Sequence, residues 1–176
     1  SDLDLMGGKI EVSSRQGIGS TFTVEIPLLI AEQVLTEKEE NLRKDMDLHG
    51  LHVLLAEDND LNAEIAVSLL EEQGMIVTRA ADGKSALLQF CNIAPGTFDL
   101  ILMDIMMPEM NGYETTKAIR NLSERPDGKE IPIIAMTANA FAEDVQAALN
   151  AGMDDHVAKP VDMRILISVI TKYIER

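Results

Sequence analysis

The chain is short of three things, and each shortage removes a class of function. Cysteine occurs once, as Cys91, so no disulfide can close within the chain, which suits a reducing cytosol. Basic residues number 15 against 30 acidic ones, a formal net charge of −15. A surface of that sign repels phosphate backbones and anionic headgroups, which argues against nucleic acid and membrane contact by this segment. Long apolar runs are missing too, and the start shows no signal-peptide pattern. A cytoplasmic location follows, and the anchor of any membrane-bound parent lies outside this chain.

What is present suffices for a packed core. Of 176 residues, 46% are hydrophobic and 26% charged, which fits one ordinary domain plus extra material. The acid excess suits a protein that collects divalent cations, and it suits plain solubility equally well.

Three zones differ in composition. Residues 1–30 predict a β-hairpin, with Lys9 to Ser13 as one strand and "RQGIGS" (15–20) as the turn. Thr21 to Ile26 then alternates, placing Phe22, Val24 and Ile26 on one face. A lone hairpin is marginal in water, so it must pack on something. Residues 31–48 are charged, lack Gly and Pro, and predict a helical linker with a weak apolar stripe.

From residue 49 onward, strand and helix patterns alternate. Strands are expected at 51–56, 75–81, 100–103, 131–137 and 155–158. Helices are expected from Leu61 to Gly74 and over 83–93, 113–122, 142–152 and 163–174, with a loop around Pro126, Asp127 and Gly128. Five β/α units predict an open parallel sheet covered on both faces. Right-handed crossovers then put every strand's C-terminal end on one edge, where ligands of such sheets bind.

The residues at those strand ends form a chemical set. The first strand delivers Glu57 and Asp58, the third Asp104, the fourth Thr137, and the fifth Lys159 followed by Pro160. Three clustered carboxylates repel one another unless a cation sits among them, and Mg²⁺ suits hard oxygen donors. With Lys159 adding positive charge, the pocket would receive a phosphoryl group, and Thr137 would donate a hydrogen bond to it. Phosphoryl transfer is mostly positioning and charge neutralisation. One carboxylate must act as nucleophile, and Asp104 is the choice because it stands alone on the central strand.

"LLAEDNDLN", "LILMDIMMPEMNGYE", "IIAMTANA" and "HVAKPVD" together resemble the receiver domain of two-component signalling, in the variant found in hybrid histidine kinases. The resemblance covers residues 50–176. It implies a flavodoxin-like (βα)5 doubly wound parallel sheet with strand order 2-1-3-4-5, in a domain of residues 49–176. It also implies that Asp104 accepts phosphate from a phosphohistidine. Asp58, Asp104 and the backbone carbonyl of Met106 would bind Mg²⁺, with Mn²⁺ as the substitute and Glu57 assisting through water. Thr137 and Lys159 would contact the phosphoryl group. The implied partners are a histidine kinase domain or a histidine-phosphotransfer protein docking beside the first helix. A homodimer or output surface is implied on residues 142–158 and the last helix. Two departures stand out: Glu57 replaces the Asp of many receivers, and His156 replaces the usual switch aromatic.

"LMGGKIEVSSRQGIGSTFTVEIPL" (5–28) resembles the last hairpin of a histidine-kinase ATP-binding domain, without its asparagine box or glycine-rich lid. The two resemblances together describe a kinase tail, a linker and a receiver. The receiver itself would be a phosphoacceptor with slow self-dephosphorylation, and the parent chain a histidine protein kinase whose ATP site is absent from this segment.

A haloacid-dehalogenase-like phosphatase is the rival. It would use Asp58 and Asp60, leave Asp104 unexplained, and need its acidic pair after the lysine, whereas Asp154 and Asp155 precede Lys159. A calcium loop at "DNDLN" fails, because Ala63 stands where glycine is needed. Met75, Met103, Met106, Met107 and Met110 are expected to fill core gaps. Leu61, Ile65, Ala66, Val67, Leu69 and Leu70 spread over more than one helical stripe, which predicts burial against the sheet.

Overall fold

The computed structural model describes residues 9–15, 17, 19–25, 27, 48–138 and 142–174. The expected linker helix lies outside these residues except for Leu48, as do Ile26 and Asn139, which with Met106 is expected to flank the approach of water to a phosphorylated Asp104. The chain divides into two compact units, Ser1–Asn41 and Leu42–Arg176.

In the first unit, β1 (Lys9–Arg15) and β2 (Gly19–Glu25) pair antiparallel. Ile10 faces Val24 and Val12 faces Phe22, so four apolar side chains share one face and all four are exposed. Gly17 at φ 78° and Gly19 at φ 135° supply the backbone the turn requires. Both strands run within two residues of the expected bounds.

The second unit holds β3 (His52–Ala56), α1 (Asp60–Glu72), β4 (Ile76–Ala80), α2 (Gly83–Asn92), β5 (Leu100–Asp104) and α3 (Gly112–Arg120). They are followed by β6 (Ile133–Thr137), α4 (Ala142–Ala151), β7 (Asp155–Ala158) and α5 (Met163–Ile174). Each lies within about two residues of its expected place, the usual uncertainty of element ends. The loop expected near Pro126 is a 3₁₀ turn over Pro126–Lys129. The five strands are parallel in the order β4-β3-β5-β6-β7, which is the implied 2-1-3-4-5.

The central strand explains why its sequence is uniformly apolar. Leu100 and Leu102 point into one core with Val53, Leu55, Ile134 and Met136, against Ala66 and Leu70 of α1 and Leu166 and Ile170 of α5. Ile101 and Met103 point into the other, with Phe90 of α2, Ile119 of α3 and Ala148 of α4. Burial on both faces removes the alternation a one-sided strand would show. The helices start at the same edge where the strands end. Asn59, Asp82 and Asn111 cap α1, α2 and α3 by accepting the N–H of Asn62, Ser85 and Glu114.

Two apolar expectations are corrected. Ala63, Ala66 and Leu70 of α1 are buried, but Leu61 is 66% and Ile65 51% exposed. The helix contacts the sheet along one stripe only, and the second stripe faces outward. Met75, Met103 and Met107 fill the core, whereas Met106 is 77% exposed and Met110 half-buried, because both sit in the loop beyond β5.

Two arginines bind distant segments together. Arg120 donates to the carbonyls of Gly152, Gly128 and Ile131 and pairs with Asp154 at 2.7 Å. Arg125 donates to the carbonyls of Phe90 and Ile93, lies 4.2 Å over the Phe90 ring and pairs with Asp127 at 2.8 Å.

Candidate functional site

β3 delivers Glu57 and Asp58 just past its last residue, β5 ends on Asp104, β6 ends on Thr137, and Lys159 follows β7. Because β3, β5 and β6 are adjacent and parallel, these ends meet at one edge. Carboxylate oxygens of Glu57, Asp58 and Asp104 lie within 4.8 Å of one another. Glu57 and Asp104 are buried, and Asp58 is exposed at the mouth.

Lys159 holds the buried pair together. Its ammonium lies 2.5 Å from Glu57 Oε2 and 2.8 Å from Asp104 Oδ2. The Met106 N–H donates to Asp104 Oδ1 at 3.1 Å, so the loop after β5 folds back on the carboxylate. Burial pushes the Asp104 carboxyl above its ordinary value, against the Lys159 contact and the Met106 N–H, and Glu57 pushes it further. Burial acts to lower the Lys159 pKa, but hydrogen bonds and charge from Asp104 and Glu57 outweigh it and raise the value. One ammonium serving two carboxylates leaves Asp104 incompletely compensated.

Two loop geometries make the approach possible. Gly112 has no Cβ, and one placed there would collide with the backbone carbonyl of Asp104 and crowd Ile105. The Gly112 N–H instead donates to the Ile105 carbonyl at 3.0 Å. The Lys159–Pro160 peptide bond is cis, and the Lys159 N–H donates to the Thr137 carbonyl at 2.7 Å. Thr137 is itself buried at 6% exposure.

Every site side chain expected from the sequence is thus at this edge. The Met106 backbone is there as well, while its side chain points to solvent. The donor set is all oxygen and carries three clustered acids, two of them paired with Lys159, which fits a hard divalent cation such as Mg²⁺. Asn62, unnoticed in the sequence, donates its amide to Glu57 Oε1 at 3.2 Å. Its place three residues after the Asn59 cap points to a bond with Asn59, so no spacing signal in the sequence pairs it with Glu57. Asp60, which the phosphatase alternative needs, instead pairs with Arg79 at 2.6 Å and points away into solvent. Asp154 and Asp155 are likewise committed, to Arg120 and Lys172. His156 is only one-third exposed and lies 3.7 Å from Asp155.

A cleft of about 110 Å³ opens beside this edge, lined by Glu57, Asn62, Ile65, Leu69, Lys159 and Val161. Ile65 of its apolar wall is half exposed, and Leu61, one turn earlier on α1, is exposed as well.

Residues 53–171 match the response regulator receiver domain family. The aerobic respiration control sensor protein ArcB of Escherichia coli K12 is 43% identical over 170 residues, 96% of this chain and 21% of ArcB. The sensor histidine kinase GacS of Pseudomonas protegens is 36% identical over 146 residues, covering 83% of this chain and 15% of GacS. The chain therefore spans about a fifth or less of these relatives. Among solved structures, the receiver domain of sensor histidine kinase PA1611 from Pseudomonas aeruginosa superposes with a TM-score of 0.64. It is 36% identical over 72% of this chain and 99% of that one, and it holds a magnesium ion in its active-site cleft. The receiver domain of Ssk1 from Saccharomyces cerevisiae, crystallised with the phosphotransfer protein Ypd1, gives a TM-score of 0.64. It is 30% identical over 72% of this chain and 90% of its own.

Proposed function

This chain belongs to the response regulator receiver domain family, and on that premise we propose that Asp104 is the phosphoacceptor of a hybrid histidine kinase phosphorelay. The observation that carries the proposal is the buried Asp104 carboxylate at the end of the central strand, 2.8 Å from Lys159 and within 4.8 Å of Glu57 and Asp58. In the transfer, an Asp104 oxygen bonds to phosphorus while the P–N bond of a phosphohistidine breaks, and the imidazole leaves with the bonding pair. Asp58, Asp104 and the Met106 carbonyl are the metal ligands we assign, with Glu57 acting through water. Mg²⁺, when bound, neutralises the acids and the incoming phosphoryl oxygens, and Mn²⁺ takes the same donors. Lys159 pairs with the phosphoryl group once the Asp104 oxygen carries it as an acyl phosphate, and the Thr137 hydroxyl donates to another phosphoryl oxygen.

The donor and acceptor partners we assign are a histidine kinase domain and a histidine-phosphotransfer protein. The Ypd1–Ssk1 complex and the exposed Leu61 and Ile65 beside the cleft support that reading. The α4–β7–α5 face is assigned to homodimer or output contacts. Residues 1–30 are assigned to the tail of a kinase ATP-binding domain and 31–48 to a helical linker, supported by a match to ArcB that runs over 96% of the chain. The exposed Ile10, Val12, Phe22 and Val24 face would pack on the rest of that domain. The lone cysteine fits a cytoplasmic setting.

Incubation with a small phosphodonor and Mg²⁺, followed by intact-mass measurement, tests the assignment. The parent should gain one phosphoryl group and Asp104→Asn none. An undiminished adduct on the variant would end the assignment.

A further inference from the structure

We propose that Asn62 is a positioning residue that holds the Glu57 carboxylate in its metal-facing orientation; this rests on the phosphoacceptor reading above. Glu57 is buried at 2% exposure, so each of its oxygens needs a protein partner. Oε2 takes the Lys159 ammonium at 2.5 Å. Oε1 takes the Asn62 amide at 3.2 Å and, more weakly, the Asn59 N–H at 3.4 Å. The amide nitrogen must face Glu57, since the amide oxygen would meet a carboxylate as another acceptor.

A comparison within the molecule shows that this is not ordinary helix capping. At the start of α3, the third helical residue, Glu114, accepts the Asn111 N–H while Asn111 accepts the Glu114 N–H. At the start of α1, Asn59 likewise accepts the Asn62 N–H, but the return bond is missing. The side chain at the third position is a donor, and it joins the cap residue's N–H on the same Glu57 oxygen. The first turn of α1 is therefore turned outward onto the site.

Glutamate needs such a clamp more than aspartate would. It carries one more rotatable bond, and ordering a side chain that is otherwise free costs conformational entropy. A fixed Oε1 leaves Oε2 on Lys159, which also pairs with Asp104, at the edge where a metal-bound water would be held. Partners that orient a metal site's acids typically alter affinity by about 10- to 100-fold, and an exposed amide such as Asn62 belongs at the lower end.

Calorimetric titration of the full chain with MgCl₂ tests this. Asn62→Ala keeps the Asn62 backbone N–H that Asn59 caps, so the helix start is retained. Asn62→Leu keeps the volume without the donor, and neither changes the net charge. Each should weaken Mg²⁺ binding by about tenfold; melting in chelator should fall modestly, since buried Oε1 keeps only the weaker Asn59 N–H, while both variants stay folded at the titration temperature. In a Glu57→Asp background, where the shorter carboxylate falls short of Asn62, the same substitutions should change Mg²⁺ affinity by less than about twofold, the mark of coupling between contacting residues. Unchanged affinity in both single variants, or an equal loss in both backgrounds, would overturn the proposal. A parent that binds no Mg²⁺ would overturn the site assignment together with it.

Discussion

The Lys159 ammonium lies 2.8 Å from Asp104 and 2.5 Å from Glu57, so one lysine balances two buried carboxylates 102 positions apart from it at the farther contact. It occupies the place of a positive charge that a divalent cation also supplies.

Lys159→Met should therefore destabilise the metal-free protein by roughly 1–3 kcal/mol, since two buried acids lose their counter-charge. Added Mg²⁺ should recover more melting temperature in the variant than in the parent. Equal recovery in a thermal-shift titration would show that lysine and metal do not share the same acids.

On the phosphoacceptor reading proposed above, Met106 is the side chain expected to govern the lifetime of the phosphoryl group. It is 77% exposed at the mouth of the site rather than packed away, and a thioether orients water poorly. We expect slow self-dephosphorylation, with Met106→Asn accelerating phosphate loss. Identical decay of the phosphorylated parent and variant in Mg²⁺ would remove Met106 from that role.

Gly112→Ala should strike both stability and site. The added Cβ meets the Asp104 carbonyl, a backbone atom that cannot step aside. A loss of roughly 1–3 kcal/mol is expected, the range for forced overpacking, together with slower phosphorylation. Denaturant unfolding that matches the parent would contradict the close approach.

Acid stability should depend on Asp127. The Arg125 guanidinium lowers its carboxyl from the ordinary 3.8 to about 2, against the effect of burial and with help from the Gly96 N–H. The folded state thus favours the ionised form. The stabilisation is complete above about pH 4 and is lost as pH falls through about 2. Asp127→Asn should lower the melting temperature at neutral pH and flatten its fall between those limits; parallel curves would exclude the linkage.

Residues 1–30 should bind no ATP, because the segment lacks most nucleotide-binding motifs. Saturable ATP binding by the full chain, abolished on deleting this segment, would refute that expectation.

The strand-end acids and the five β/α units were legible because they are local. An apolar run of strand length, a carboxylate directly after it and a turn beyond can be read from neighbouring residues alone. The same is true of the hairpin, whose period-two pattern already placed Phe22 and Val24 on one face. The sequence could not show which apolar residues of α1 stay outside. Leu61 and Ile65 have the same hydrophobicity as buried Leu70, and only the helix's angle on the sheet separates them.

The sharing of Lys159 between Glu57 and Asp104 was likewise decided in three dimensions, as was the amide of Asn62 on Glu57. So were the carbonyls of Gly128, Ile131 and Gly152 gathered by Arg120. The Lys159 and Arg120 contacts reach across the chain, and even the Asn62–Glu57 contact between near neighbours depends on side-chain torsions that settle only after the elements pack. Local pattern therefore determined which groups reach the edge of the sheet, whereas packing determined which of them share a charge, because Coulomb and hydrogen-bond partners are chosen by distance in space.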